Sequence, residues 1–218
     1  VIPLGLMLAG VGALIAVQPD LSTAITIFLL GILLFFLAGG DMKELAFFMV
    51  LVMIGALIAF QVYGVAQSRV EAYLSGLRDP LSSSDHMVRS IEAVVNGGLW
   101  GKGIGNSSSK VTGLPVPPTD SIFAVIVEET GLVGGAFVIG LYLLFLWRGL
   151  KIALEAKDLL GTLLAAGLTF WIVIEAFINA GVMVNLIPVA GNALPMVSYG
   201  GTSMAVTLTS IGIILNVS

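Results

Sequence analysis

An aspartate standing where a polar loop meets an apolar helix has the chemistry of a general base, and Asp120 stands at such a junction. Pro117 and Pro118 stiffen its approach, and an apolar run begins at Ser121-Ile122-Phe123. A partly desolvated carboxylate at that boundary is suited to take a proton near neutrality. A structural reading competes with this one. Thr and Asp are favoured N-cap residues, and Thr119 or Asp120 would cap the helix by accepting from its first free amides.

Glu128 and Glu129 follow about two turns further along the same helix, in a run that is otherwise Ile, Phe, Val and Ala. An ionisable side chain in an intramembrane run faces the bundle interior or water and is a functional candidate. Adjacent helical residues point about 100° apart, so one of the two faces a cavity and the other ties helices together. Asp20, and Glu175 four residues before Asn179, raise the same question, with structural pairing the simpler role. Arg69, Arg78, Arg89, Lys102 and Lys110 are five of the nine basic residues and fall in one polar segment, although the chain carries a formal charge of -4. They suit a phosphate-bearing ligand or anionic lipid headgroups. The lone His86 has no second His or Cys to complete a zinc site and reads as a surface residue. Cysteine is absent, which excludes disulfides, thiolate metal sites and a cysteine nucleophile. No nucleic-acid footprint is present.

The elements that must position these residues are membrane helices. Hydrophobic residues make up 58% of the 218 and charged residues 10%, against roughly a quarter charged in a soluble domain. Six apolar stretches approach the length of about 18 residues that a crossing helix needs: 2–17, 21–39, 44–64, 121–148, 159–184 and 202–217. The first opens at Val1 with no basic n-region or small-residue cleavage site, so the chain reads as a fragment, not as one beginning with a signal peptide. Lys43 lies in one short connection and Arg148, Lys151 and Lys157 in another, which places both on the cytoplasmic side. Parity then puts Gln18-Pro19-Asp20, the long segment Val65 to Thr119 and the Asn185 to Gly201 connection together outside. Within the long segment, Met87, Val88, Ile91, Val94 and Val95 recur at helical spacing among polar residues, which predicts an amphipathic interfacial helix over Ser82 to Asn96. The following Gly97 to Asn106 is glycine-dense. It is either a flexible loop or a place where backbone amides approach a ligand.

These stretches resemble the SEDS peptidoglycan glycosyltransferases, and they occur in that family's order. The matching segments are Gln18-Pro19-Asp20-Leu21, Phe36 to Gly40, Leu99-Trp100-Gly101-Lys102-Gly103-Ile104-Gly105-Asn106-Ser107, Thr119 to Ile126 with Glu128-Glu129-Thr130-Gly131, Leu186-Ile187-Pro188, and Leu194 to Ser203. The Leu-Trp-Gly form is closer to FtsW than to RodA. Pro118 stands where the family usually has His before Thr-Asp, Ser22 follows Leu21 where Gly is usual, and Ser84-Asp85-His86 replaces Gly-Tyr-Gln.

The resemblance implies an all-α polytopic bundle of ten helices, of which this chain holds the last six as a single domain over 1–218, with 65–119 as the large outer loop. It implies a lipid II polymerase of septal cell-wall synthesis in the bacterial cytoplasmic membrane, working on the extracytoplasmic face. Asp120 would be catalytic. Substrate contacts would fall to Arg69, Arg78, Lys102, Asn106, Lys110, Thr119, Glu128, Glu129, Ser198 and Tyr199, and the leaving pyrophosphate would need these cations or a divalent ion, Mg or Mn. The implied partners are lipid II, a class B penicillin-binding transpeptidase and divisome proteins. A lipid-linked precursor flippase and a non-catalytic scaffold for a transpeptidase are the alternatives.

Overall fold

The computed structural model describes residues 10, 21–47, 49–50, 53, 64–78, 84–109, 119–188 and 190–218. The chain is an all-α polytopic membrane protein. The described helices are α1 (Leu21–Leu37), α2 (Gly64–Arg78), α3 (Asp85–Gly97), α4 (Ile122–Glu155), α5 (Leu159–Met183) and α6 (Gly201–Val217). Four of the six expected spans correspond to α1, α4, α5 and α6, because an apolar run in lipid must satisfy its backbone internally and a helix does so. Apart from Gly10, the span at 2–17, and 48, 51–52 and 54–63 of the span at 44–64, together with Gln18-Pro19-Asp20, Lys110 and 111–118, lie outside the described residues.

The long pair α4 and α5 forms the centre. Only three residues join them, and Asp158 caps α5 by accepting from the Gly161 amide at 3.1 Å. Phe123, Ala124 and Val127 of α4 pack on Ile172, Ala176 and Ala180 of α5, with Met183 and Leu194 closing the α3 end. Small residues bring the backbones close, as at Gly149 against Thr169 and at the buried Ala153, Ala165 and Ala166. The opposite face of α4 exposes Phe137, Leu144 and Trp147, which is ordinary where the surroundings are hydrocarbon. Helix α3 lays Met87, Ser90, Ala93 and Gly97 against the bundle in one stripe. Of the apolar period Met87, Val88, Ile91, Val94 and Val95 only Met87 is buried, and Val95 is 71% exposed, so the helix forms where expected but packs through a neighbouring, small-residue face.

Two local features depart from the sequence reading. Val65 to Thr119 is not loop on both sides of one interfacial helix, because its first part is α2. A hydropathy test passes over α2, whose Ala, Gln, Glu, Leu and Arg residues are good helix formers with an average polarity. The second departure lies within α4, where Gly131 adopts φ 74° and ψ -177° and breaks the hydrogen-bond ladder. At about 1.5 Å per residue the 24 residues after the break already reach about 36 Å, enough to cross a hydrocarbon core of about 30 Å. The segment from Ile122 to Thr130 is therefore an extension that carries the site.

Candidate functional site

The glycine-dense loop after α3 fills the break in α4. The amides of Lys102 and Gly103 donate to the carbonyls of Glu128 and Glu129 at 3.0 and 2.9 Å, and the amides of Leu132 and Val133 donate to those of Gly98 and Leu99 at 2.9 and 3.3 Å. Groups freed by the non-helical Gly131 thus find partners in the loop. The backbone approach that the glycines allow is made to another helix of the same chain.

Glu128 completes the attachment. Its carboxylate is fully buried and accepts from Lys102 Nζ at 3.0 Å and Ser108 Oγ at 2.9 Å on one oxygen, and from Ser107 Oγ at 2.6 Å and the Ser109 amide at 3.3 Å on the other. Four donors saturate it, so Glu128 is the member of the Glu128–Glu129 pair that ties elements together. Lys102 is held in the same cluster, and Asn106 donates to the Lys102 carbonyl at 3.2 Å. In Glu128→Ala the loop loses its anchor and Lys102 its counter-ion. We expect a destabilisation of roughly 3 kcal/mol, at the lower end for a broken buried pair because the lysine side chain keeps 35% exposure. Faster amide hydrogen exchange across Lys102 to Ser109 would register it, and unchanged protection would contradict it.

Asp120 belongs to a second constellation. Its main-chain carbonyl accepts from Asn179 Nδ2 at 2.7 Å, and the same nitrogen donates to the Asn192 carbonyl at 2.6 Å. One residue earlier, the Thr119 carbonyl accepts from Ser198 Oγ at 2.7 Å, and that hydroxyl in turn accepts from the Leu194 amide at 2.7 Å. Helix α5 and the last loop therefore hold the Thr119–Asp120 turn by its backbone. The half-exposed Asp120 carboxyl makes no hydrogen bond among the described residues. The capping alternative does not hold, because the N-cap is Ser121 and no side chain bonds the first amides from it.

Ser121 is fully buried and its Oγ lies 2.9 Å from His86 Nε2 of α3. His86 is half-buried at the shoulder of Asp120, not the surface residue that its isolation in the sequence indicates. Burial lowers its pKa below 6.5, and the neighbouring Asp120 charge opposes that fall. A cavity of about 250 Å³ between α2 and α3 is lined by Arg69, Tyr73, Ser84 and His86, among others. Tyr73 OH donates to the Leu186 carbonyl at 2.9 Å, so α2 and the last loop meet at this end as parity predicts. A second cavity of about 260 Å³ lies where Gly191 and Asn192 meet Trp171, Glu175, Thr202 and Ser203. The Asp120 Oδ2 comes within 3.7 Å of the place a Cβ on Gly191 would occupy, so the carboxyl neighbours one of the residues that line that cavity.

The expected site residues thus divide. Thr119, Asp120 and Ser198 come together, with Asn179, Asn192 and His86 added by the fold. Lys102, Asn106 and Glu128 form the loop anchor, joined by the Glu129 backbone. Arg69 lines the α2–α3 cavity, and Tyr199 is 82% exposed beside Ser198. Arg78 ends α2, and its side chain, like Lys110, lies outside the described residues. Asn179 had one sequence signal, an amide in an apolar helix four residues after Glu175.

The family model FTSW_RODA_SPOVE, described as cell cycle protein, matches residues 1–218. The chain is 40% identical over 207 residues to the Stage V sporulation protein E of Bacillus subtilis, covering 94% of this chain and 56% of that protein. It is 38% identical over 207 residues to the peptidoglycan glycosyltransferase MrdB of Escherichia coli K12, with the same 94% and 56% coverage. Among solved structures, a chain from a peptidoglycan synthase complex that coordinates polymerization and crosslinking superposes with a TM-score of 0.75 at 27% identity, covering 97% of this chain and 59% of that one. The chain therefore spans little more than half the length of the proteins it matches.

Proposed function

Because the chain belongs to the FtsW, RodA and SpoVE family over its whole length, we propose that it carries the catalytic aspartate of a peptidoglycan glycosyltransferase that polymerises lipid II. The observation that carries this reading is the Thr119–Asp120 turn, held by both main-chain carbonyls while the Asp120 carboxyl, next to Gly191, stays unbonded among the described residues. Holding the backbone orients a base without occupying its oxygens. Asp120 takes the proton of the acceptor sugar's 4-hydroxyl, the resulting oxygen attacks the anomeric carbon of the growing strand, and that carbon's bond to undecaprenyl pyrophosphate breaks with the electron pair on the leaving group. The Arg69 guanidinium, in the cavity beside His86, is placed to face the pyrophosphate charge, whereas Lys102 is engaged by Glu128.

A divalent cation would neutralise the same charge. Among the described residues no three His, Cys, Asp or Glu side chains converge, so such an ion, Mg or Mn, would be held mainly by the pyrophosphate oxygens. The reaction belongs at the extracytoplasmic face of the bacterial cytoplasmic membrane, where loop charge places this end of the bundle. A septal role is favoured by the FtsW-like Leu99-Trp100-Gly101 form, and a class B transpeptidase and divisome proteins are the fitting partners.

Detergent separates this reading from a flippase, because translocation has no meaning without a bilayer. The complete protein, purified with its transpeptidase and with the latter blocked by a β-lactam, is expected to turn labelled lipid II into glycan strands on a gel. Unconsumed lipid II under the same conditions would favour the transporter or scaffold. Within the polymerase, Asn179→Ala removes the donor to Asp120 and to Asn192. Strand synthesis should fall about tenfold or more with lipid II binding retained, and the melting temperature should drop in line with about 2 kcal/mol for two lost hydrogen bonds.

A further inference from the structure

Beside Asp120, His86 brings an imidazole that the proposed mechanism does not use. It approaches from α3, while the backbone clamps of the turn come from α5 and the last loop. Its Nε2 meets Ser121 Oγ at 2.9 Å, and Ser121 is the residue that links Asp120 to the first turn of α4. Its Nδ1 is buried without a hydrogen-bond partner among the described residues, which hold the ring by that one polar contact and by packing. That contact changes with protonation. A neutral imidazole accepts from, or donates to, the serine hydroxyl according to its tautomer, whereas the imidazolium donates only.

We infer that His86 is a positioning residue for Asp120, holding the Asp120–Ser121 link from the α3 side and disabling the site when it is protonated. The inference rests on the polymerase reading for its kinetic consequence and on the contact of His86 with Ser121, the residue next to Asp120, for its geometry. Arg69 and Tyr73 face His86 from α2, Asp120 from the turn, and Asp85 and Arg89 from its own helix. Glu128 and Glu129 lie two turns along α4, with Glu128 bound by Lys102 and the serines. Helix α5 meets α3 through Met183, which accepts from Ser90 at 3.5 Å and brings no charge.

Desolvation disfavours a positive charge on His86, and the Asp120 charge opposes that fall. His86 is therefore neutral at pH 7 and charges only in acid, below the ordinary histidine value. Once charged, the imidazolium draws the Asp120 carboxylate toward itself and away from the incoming hydroxyl. It also forces the Ser121 hydroxyl to accept, which disturbs the turn.

The test uses the complete protein with its transpeptidase and has two readouts. The first is the imidazole titration of His86 by NMR, assigned by its loss in His86→Gln. Asp120→Asn removes the one charge that favours the imidazolium, so the midpoint is expected to move to lower pH. An unchanged midpoint would show that the two side chains are uncoupled and would overturn the inference. The second is the pH profile of strand synthesis. Wild type should lose activity in acid across the midpoint that NMR finds, and His86→Gln should lack that step. At neutral pH His86→Ala should lose about tenfold to a hundredfold, while His86→Gln, which can still bond Ser121, should recover part of it. Superimposable profiles, or equal losses in the Ala and Gln variants, would contradict the positioning role. No strands at any pH from any variant would count against the polymerase reading, and the NMR midpoint would still decide the coupling.

Discussion

Gly131→Ala is expected to destabilise the protein by about 5 kcal/mol, enough to threaten the folded state of a domain whose whole stability is typically about 5–15 kcal/mol. The reason is specific to this glycine. Its φ of 74° with ψ of -177° is a conformation that only glycine adopts readily, and strain there is of order 1–3 kcal/mol for another residue. An added Cβ would also lie 2.2 Å from the Leu99 oxygen, 2.4 Å from the Leu99 carbonyl carbon and 2.6 Å from the Gly101 nitrogen. All three are backbone atoms of the docked loop, so no rotamer change relieves the contact.

Relief requires the loop to leave α4, and four loop–helix hydrogen bonds go with it at about 1 kcal/mol each. Glu128 would then remain buried without the donors that saturate it. Gly101→Ala probes the same contact from the other side, since Gly101 has φ 77° and its Cβ would fall 2.2 Å from the Glu129 oxygen. Gly140 serves as the control, because it lies in the same helix with nothing within 4 Å of an added Cβ. Gly140→Ala should be neutral or slightly stabilising, by up to about 1 kcal/mol. Melting temperatures of the three variants in detergent decide the matter, and a Gly131→Ala melt that matches Gly140→Ala would mean that the loop is not docked in the break.

The same residues mark where the sequence was legible. Apolar length located α1, α5 and α6 within two residues at each end and the start of α4 within one, because a run of Ile, Leu, Val and Phe in hydrocarbon has few folded options other than a helix. Helix α4 runs seven residues past the expected end, through Gly149 to Glu155. The period of Met87, Val88, Ile91, Val94 and Val95 located α3 for a related reason. The break at Gly131 was not legible, since Glu128-Glu129-Thr130-Gly131 is compatible with a continuous helix and the partner that rescues its amides lies some thirty positions away. The two halves of that contact were each visible, as a glycine-dense loop and as a glycine after paired carboxylates, but nothing in local spacing joins them.

Asp120 shows the same division. Its residue type and its place between Pro118 and the apolar run made it a candidate for either a base or a helix cap, and the family resemblance pointed to the first. What orients it is a set of side chain to main chain hydrogen bonds from Asn179 and Ser198, 59 and 79 residues away from their acceptors. Main-chain carbonyls carry no sequence signature, so such clamps are invisible until the chain is folded. His86 was missed for a simpler reason: a lone histidine was weighed only as a metal ligand, and its spacing in front of Met87 and Ser90 on the buried stripe of α3 was not used.

The central claim is that Asp120 acts through its carboxylate and not through its fold. Asp120→Asn retains size and leaves the main-chain carbonyl that Asn179 binds, so the turn should be preserved. The amide cannot take a proton at neutral pH, and loss of a general base lowers a rate by about 10²–10⁴-fold. The structure makes the substitution informative, because the carboxyl has no hydrogen bond to lose among the described residues and the change should leave the melting temperature within a degree or two of wild type. The decisive measurement is therefore strand synthesis from labelled lipid II by the complete Asp120→Asn protein with its transpeptidase, alongside wild type, on samples shown to melt alike. Loss of at least a hundredfold in a protein that still binds lipid II is the result predicted here, and strand synthesis at the wild-type rate would remove Asp120 from the chemistry.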